Sequence, residues 1–320
     1  MRQFLSCDWG TTSFRIRLAD TGNGKIIASE ETGQGIADTF DLWQQQGNRD
    51  EEQKREFYLK VIDGHIKQLE SKLNTPLNGI KLLISGMASS TIGFIQIPYS
   101  EAPLPVNGSE IKTAIIPASA DFDHDVLVIS GVKTDDDVMR GEETQLIGYI
   151  DSPVKDELFI FPGTHSKHVR IKDDQIIDFK TYMTGEFFAL LCQKSILKSA
   201  VEEPTGLGDH ESAAFKAGVQ DSVSENLLHS PFRVRINNLF SKFTRAENFY
   251  YLSGLLIGTE LKDLKSAKIG INLAGGGRLT HYYEQVLQTL GIPHHVLPGS
   301  IDEATVKGQL KIARQLNMLI

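Results

Sequence analysis

Two segments far apart in the chain follow one plan, and that repeat constrains the fold more than any other feature. Residues 5 to 20, LSCDWGTTSFRIRLAD, read as an apolar strand, a turn of Gly10, Thr11 and Thr12, and a second strand. In that second strand Phe14, Ile16 and Leu18 alternate with Arg15, Arg17 and Ala19. DTGNGK then marks a hairpin turn and KIIASEE a third strand. Residues 157 to 179, ELFIFPGTHSKHVRIKDDQIIDF, repeat the order: apolar strand, Gly-Thr turn, alternating strand, polar turn, third strand. After each meander come helical segments and further buried strands. The first half has a helix over residues 51 to 73 and the strands IKLLISGM and VLVISG, both reaching glycine. The second half has helical GEFFALLCQKSILKS, HESAAFKAGVQ and NFYYLSGLLIGTELKDL, then the strand KIGINLAGGG. Strands alternating with helices specify an α/β fold. With 320 residues the chain can fill two cores, and we expect domains at 1–150 and 151–320, the second including a last helix from about residue 302.

A carboxylate inside an apolar strand is costly to bury without a partner. Asp8 is such a residue, and the glycine and hydroxyls just after it suggest the partner, a metal ion carrying phosphates. Magnesium takes few protein carboxylates and keeps its waters, so Asp8 can hold hydrated Mg²⁺. The backbone N–H groups of the turn, with Thr11 and Thr12, can cradle phosphate oxygens. A plain β-turn would account for this segment alone. The second turn, Gly163, Thr164, His165 and Ser166, stands at the equivalent point of the second meander, and two such loops can clamp a triphosphate. The histidines there, His165 and His168, read as hydrogen-bonding or packing groups. Gly275, Gly276 and Gly277 end a strand and open into a helix, which lets backbone approach a flat ligand; we read them as an adenine or ribose platform. Their spacing is not that of a dinucleotide-binding fingerprint.

Two phosphate loops and a glycine platform in a duplicated α/β frame resemble the actin, sugar kinase and heat-shock chaperone superfamily. The resemblance implies two duplicated ribonuclease-H-like α/β domains with an ATP cleft between them. It also assigns two connecting helices. The first begins in TDDDVMRGEETQLIGYI, residues 134 to 150, and the second packs closely through Ala304 and Gly308. Acidic residues at a helix start also complement its dipole. In the kinases and exopolyphosphatases of the superfamily, however, a carboxylate at the first connector is the general base. Glu142, Glu143 and Asp137 are the candidates here. The glutamates are about 100° apart around a helix, and Glu142 is the favoured base, with Glu143 structural or bridging a metal.

Six strings narrow the family: DWGTTSFR at 8, SGMASSTIGFIQIPY at 85, DVMRGEETQLIG at 137, PGTHSKHV at 162, FKTYMTGEFFALL at 179 and SGLLIGTEL at 253. Together they resemble the 2-dehydro-3-deoxygalactonokinases of bacterial galactonate breakdown, across nearly the whole chain. His168 and Phe94 stand where that family usually has tryptophan, and Ser130 where it commonly has proline. The resemblance implies ATP-dependent phosphorylation of a sugar acid at its 6-hydroxyl. Arg140 is then one candidate for the substrate carboxylate, with Arg15 or Arg17 as the alternative, and Ser85, Ser89, Thr184 and Glu186 are candidates for sugar hydroxyls. The alternatives are a kinase for another sugar or sugar acid, an exopolyphosphatase-like phosphohydrolase, or an actin-like assembly protein.

Composition excludes other classes. With 33 basic against 41 acidic residues the net charge is −8, which argues against nucleic acid or a membrane surface as partner. Cys7 and Cys192 read as core residues of a reducing compartment. The start of the chain has no signal-peptide pattern, so a cytoplasmic protein is expected, with homo-oligomerisation left open.

Overall fold

A computed structural model describes residues 3–47, 50–204, 206 and 208–318. The chain divides into two compact units. The first holds residues up to Lys155, Ile171–Phe179, and the C-terminal segment from Gly299; the second holds Asp156–Arg170 and Lys180–Pro298.

The first unit opens with β1 (Gln3–Trp9), β2 (Phe14–Asp20) and β3 (Ile26–Thr32), an antiparallel meander as the alternation predicts. Helices α1 (Ile36–Gln45) and α2 (Glu51–Leu73) follow. Asp50 caps α2 by accepting from Glu52 N–H, and Asn74 ends it in the left-handed conformation. Strands β4 (Leu82–Gly86), β5 (Ser100–Glu101), β6 (Leu104–Pro105), β7 (Thr113–Ile116), β8 (Val126–Ile129), β9 (Val132–Lys133) and β10 (Val138–Met139) lead to α3 (Glu142–Tyr149). The main sheet has the order β3-β2-β1-β4-β8-β7, with β1, β4 and β8 parallel. Its core gathers Leu5, Trp9, Phe14, Ile62, Ile84 and Val128, all buried.

β11 (Asp156–Phe161) and the start of β12 (Ser166–Lys172) belong to the second unit; the end of β12 and the first residues of β13 (Gln175–Tyr182) belong to the first, where Gln175 and Ile176 pair with β6. Helices α4 (Thr184–Lys194), α5 (Asp209–Ser224), α6 (Phe232–Leu239) and α7 (Arg245–Leu261) come next, then β14 (Gly270–Leu273), α8 (Arg278–Leu290) and β15 (His295–Val296). Strands β11, β14 and β15 are parallel, so both six-stranded sheets among the described residues are mixed. Helices α5 and α7 touch backbone to backbone: a Cβ on Gly218 would lie 2.0 Å from Tyr251 O, and one on Gly254 2.2 Å from Phe215 O.

The last helix, α9 (Ile301–Gln315), belongs to the first unit, whereas the sequence placed it with the second half. Its Ala304 and Gly308 make the close contact their spacing suggests. A Cβ on Gly308 would lie 1.8 Å from Thr144 O, and one on Gly148 1.8 Å from Ala304 O. Lys311 then reaches the C-terminal end of α3, donating to Ile147 O at 2.9 Å and Ile150 O at 2.5 Å. No described helix is long and apolar enough to cross a membrane.

Candidate functional site

Three neighbouring strands of the first unit deliver three residues to one place. β1 carries Asp8, which is 8% exposed and faces Arg15 on β2 and Ser85 on β4 in register. Arg15 Nη1 lies 3.6 Å from Asp8 Oδ2. Burial raises the Asp8 carboxyl above the usual aspartate range; Arg17 and Arg15 oppose that shift, and Asp302 and Glu142 add to it. After Trp9 the chain turns, Gly10 N–H donating to Ser13 O at 2.9 Å. The first N–H groups of α1 take the carbonyls of Gly10 and Thr11, from Ile36 and Ala37 at 3.0 and 3.1 Å. Gly35 permits this approach, since a Cβ there would lie 2.1 Å from Thr11 O. The Thr11 and Thr12 side chains are left exposed.

β4 ends at Gly86, whose φ of +87° favours glycine; a Cβ would lie 3.2 Å from Asp8 Oδ1 and 2.8 Å from Trp9 O. Gly141, at φ +115°, packs on Gly86, and α3 starts just after it. The two glutamates at that start differ. Glu142 is half-buried and its carboxylate accepts from Arg140 N–H at 3.0 Å. Glu143 is fully buried and accepts from Gly141 N–H at 3.0 and 2.7 Å and from Thr144 Oγ1 at 2.9 Å. Burial, then the charge of Glu142, pushes its pKa up to about 7. Asp137 stands in the acidic loop before β10, where its Oδ1 accepts from Val138 N–H at 2.7 Å.

Arg140 is held from two sides. Its guanidinium lies 4.1 Å over the Tyr99 ring, and Nη1 donates to Ser89 O at 2.8 Å and to Ser89 Oγ. Its buried Nε has no hydrogen-bond partner among the described residues. Ser85 and Ser89 are both fully buried. The Ser85 hydroxyl accepts from Gln309 Nε2 of α9 at 2.8 Å, and Ser89 serves Arg140, so neither hydroxyl is directed to solvent.

In the second unit the turn Gly163–His165 joins β11 to β12 and abuts the start of α4. Glu186 N–H donates to Thr164 O at 3.1 Å, and a Cβ on Gly185 would lie 2.7 Å from Thr164 Cα. His165 Nε2 lies 2.6 Å from Glu186 Oε2. Ser166, grouped with this turn from the sequence, is wholly buried; its hydroxyl donates to Glu260 Oε1 at 2.7 Å instead of facing outward. A cavity of about 480 Å³ opens beside the turn, lined by Gly163, Thr164, Phe188, Phe249, Arg278 and Tyr282, among others. Cys192, expected in the core, is half-buried on its wall. Gly275 and Gly277 have φ of +111° and +90°, and around Gly276 and Gly277 the space is open. They lead into α8, whose first residues form part of the cavity wall. Thr184 and Glu186 therefore stand with the second turn, in a different unit from Ser85, Ser89 and Arg140.

The sequence reading missed Tyr99, Gly86 and Glu260. Glu260 carries the same signal that exposed Asp8, one acid in an apolar run, LLIGTEL.

The family model for 2-keto-3-deoxy-galactonokinase matches residues 8–312. The chain belongs to that family. A curated relative from Rhizobium meliloti, assigned as a 2-dehydro-3-deoxygalactonokinase, is 30% identical over 98% of this chain and 97% of its own. The 2-dehydro-3-deoxygalactonokinase of Escherichia coli is 33% identical over 66% of this chain and 71% of its own. A crystal structure from Sinorhizobium meliloti, assigned to the same activity, superposes with a TM-score of 0.81 at 30% identity, covering 97% and 96% of the two chains. An activator of 2-hydroxyisocaproyl-CoA dehydratase from Clostridium difficile shares the fold, with a TM-score of 0.50 at 11% identity over 98% and 96%. The fold is thus the actin-like ATPase fold the two meanders suggest, and the family is one of kinases.

Proposed function

We propose that the protein transfers the γ-phosphoryl group of ATP to the 6-hydroxyl of 2-dehydro-3-deoxy-D-galactonate. Family membership supports the reaction class, and one observation carries the site: Asp8, Gly86 and the start of α3 with Glu142 converge within the first unit. The residues fit a magnesium ion. Glu142 and Asp302 both act electrostatically on Asp8, against Arg17 and Arg15, and a cation at the Asp8 carboxylate would relieve that repulsion. Among the described residues no three Asp, Glu, His or Cys side chains come close enough to ligate a metal together. Magnesium keeps waters and takes one or two carboxylates, so it does not require such a cluster. Asp8 would hold it, and bound Mg²⁺ would neutralise phosphate charge.

Phosphoryl transfer needs positioning and charge neutralisation more than covalent chemistry. In this reading the N–H groups of Thr11 and Thr12, after Gly10, and those of Gly163–His165 cradle phosphate oxygens, and the backbone of Gly275–Gly277 borders the adenosine. Glu142, acting as general base, accepts the proton of the 6-hydroxyl as that oxygen attacks. Arg140, stacked on Tyr99 and anchored by Ser89, keeps donors for the substrate carboxylate, the charge a sugar acid has and a neutral sugar lacks. Ser89 and Ser85 then act behind the site. Thr184 and Glu186, first read as sugar contacts, support the second turn.

ADP release measured with a panel of 2-keto-3-deoxy sugar acids tests this. Turnover is expected to depend on the sugar acid, with the highest kcat/KM for the galactonate derivative. ADP release that is equal without any sugar acid would overturn the reading.

A further inference from the structure

The second unit buries a carboxylate that none of these roles uses. Glu260 lies on α7, and its side chain is 1% exposed. Four groups converge on it. Ser166 Oγ donates to Oε1 at 2.7 Å, and His168 Nε2 lies 2.9 Å from the same oxygen. Tyr283 OH donates to Oε2 at 2.7 Å, and Thr184 Oγ1 donates to that oxygen too. His168, also buried, rests against the Tyr182 ring with centroids 4.4 Å apart. A charge out of water persists only where its lone pairs are met, and here each oxygen has two partners.

The donors come from three elements, and all three border the cavity or the turn beside it. Ser166 and His168 begin β12, directly after Gly163–His165. Thr184 begins α4, where Gly185 presses on Thr164. Tyr283 belongs to α8, and both Thr184 and Tyr283 line the cavity. Ser166 is wholly buried, so its hydroxyl acts on a ligand only through what it holds.

We propose that Glu260 is the positioning residue for the second phosphate turn. It locks the turn, the start of α4 and the α8 wall into one arrangement, so that the N–H groups of the turn meet phosphate without first being ordered. Donors fixed in advance cost nothing to organise at the moment of binding or reaction. This inference rests on the reading of Gly163–His165 as a phosphate turn.

Glu260→Gln keeps the size of the side chain but puts an NH₂ group where two donors now point. Titration calorimetry with MgADP is expected to show a dissociation constant raised at least tenfold. The KM for ATP should rise to match, while the KM for the sugar acid stays within twofold. MgADP affinity within twofold of wild type, or equal rises in both KM values, would overturn the assignment. The calorimetry uses no sugar acid, so a wrong substrate would leave it interpretable. Should Glu260→Gln fail to fold, Ser166→Ala decides on the same titration. A loss of at least threefold supports the proposal, and unchanged affinity refutes it.

Discussion

Glu142 and Glu143 are neighbours in sequence and opposites in chemistry. Both Glu143 oxygens accept from Gly141 N–H and one also from Thr144, and the side chain is sealed from solvent. A carboxyl so occupied shapes the start of α3 and is poorly placed to meet a substrate proton. Glu142 keeps partial exposure beside Arg140. Glu142→Gln is therefore expected to lower kcat by about 10²–10⁴ with little change in ATP affinity. The same loss in Glu143→Gln alone would exchange the two roles. Glu143 has its own signature. Its carboxyl rises from 4.5 to about 7 on folding. Between those values the folded protein keeps a proton that the unfolded chain has lost. Stability from this group is complete below about pH 4.5 and is lost as pH rises to about 7, by roughly 3 kcal/mol across the window. Urea unfolding without magnesium should show that slope in wild type and its loss in Glu143→Gln. Asp8 and the acidic pair were legible because a lone acid in a strand, or two at a helix start, breaks an apolar pattern. The support of Arg140 by Tyr99 and Ser89 was not, since it joins residues some 40 to 50 positions apart through loops.

Close backbone contact decides where the last helix goes. Sequence order put α9 with the second half, but Ala304, Gly308 and Gln309 present a face that fits α3, β1 and β4. The small-residue spacing was readable; its partner was not, because Gly148 lies 160 residues earlier in the chain. The long helices and buried strands were readable from periodicity. The two-residue strands β5, β6, β9, β10 and β15 are too short to carry a pattern, and α1 and α6 passed unread as well. Gly308→Ala would place a methyl group against Thr144 O, and the overpacking, about 1–3 kcal/mol, outweighs the gain in helix propensity of under about 1 kcal/mol. Gly64, exposed on α2 with open space around it, is the control: Gly64→Ala should stabilise by about 0.5–1 kcal/mol. Denaturant midpoints should move in opposite directions for the two variants.

At the scale of the molecule, the two units carry different parts of the proposed chemistry. Asp8, Arg140 and Glu142 belong to the first, and the second turn, the cavity and Glu260 to the second. A protein of net charge −8 that is to bind ATP and a sugar acid must supply positive potential locally, and a fixed arginine with a magnesium ion would do so. The central claim is that these parts serve transfer to a sugar acid and not to water. The most direct measurement is phosphorus NMR of a reaction containing ATP, Mg²⁺ and 2-dehydro-3-deoxy-D-galactonate. The account predicts one sugar monophosphate on the primary 6-hydroxyl, formed in equal amount with ADP. ADP accompanied by inorganic phosphate, with the sugar acid unmodified, would contradict it.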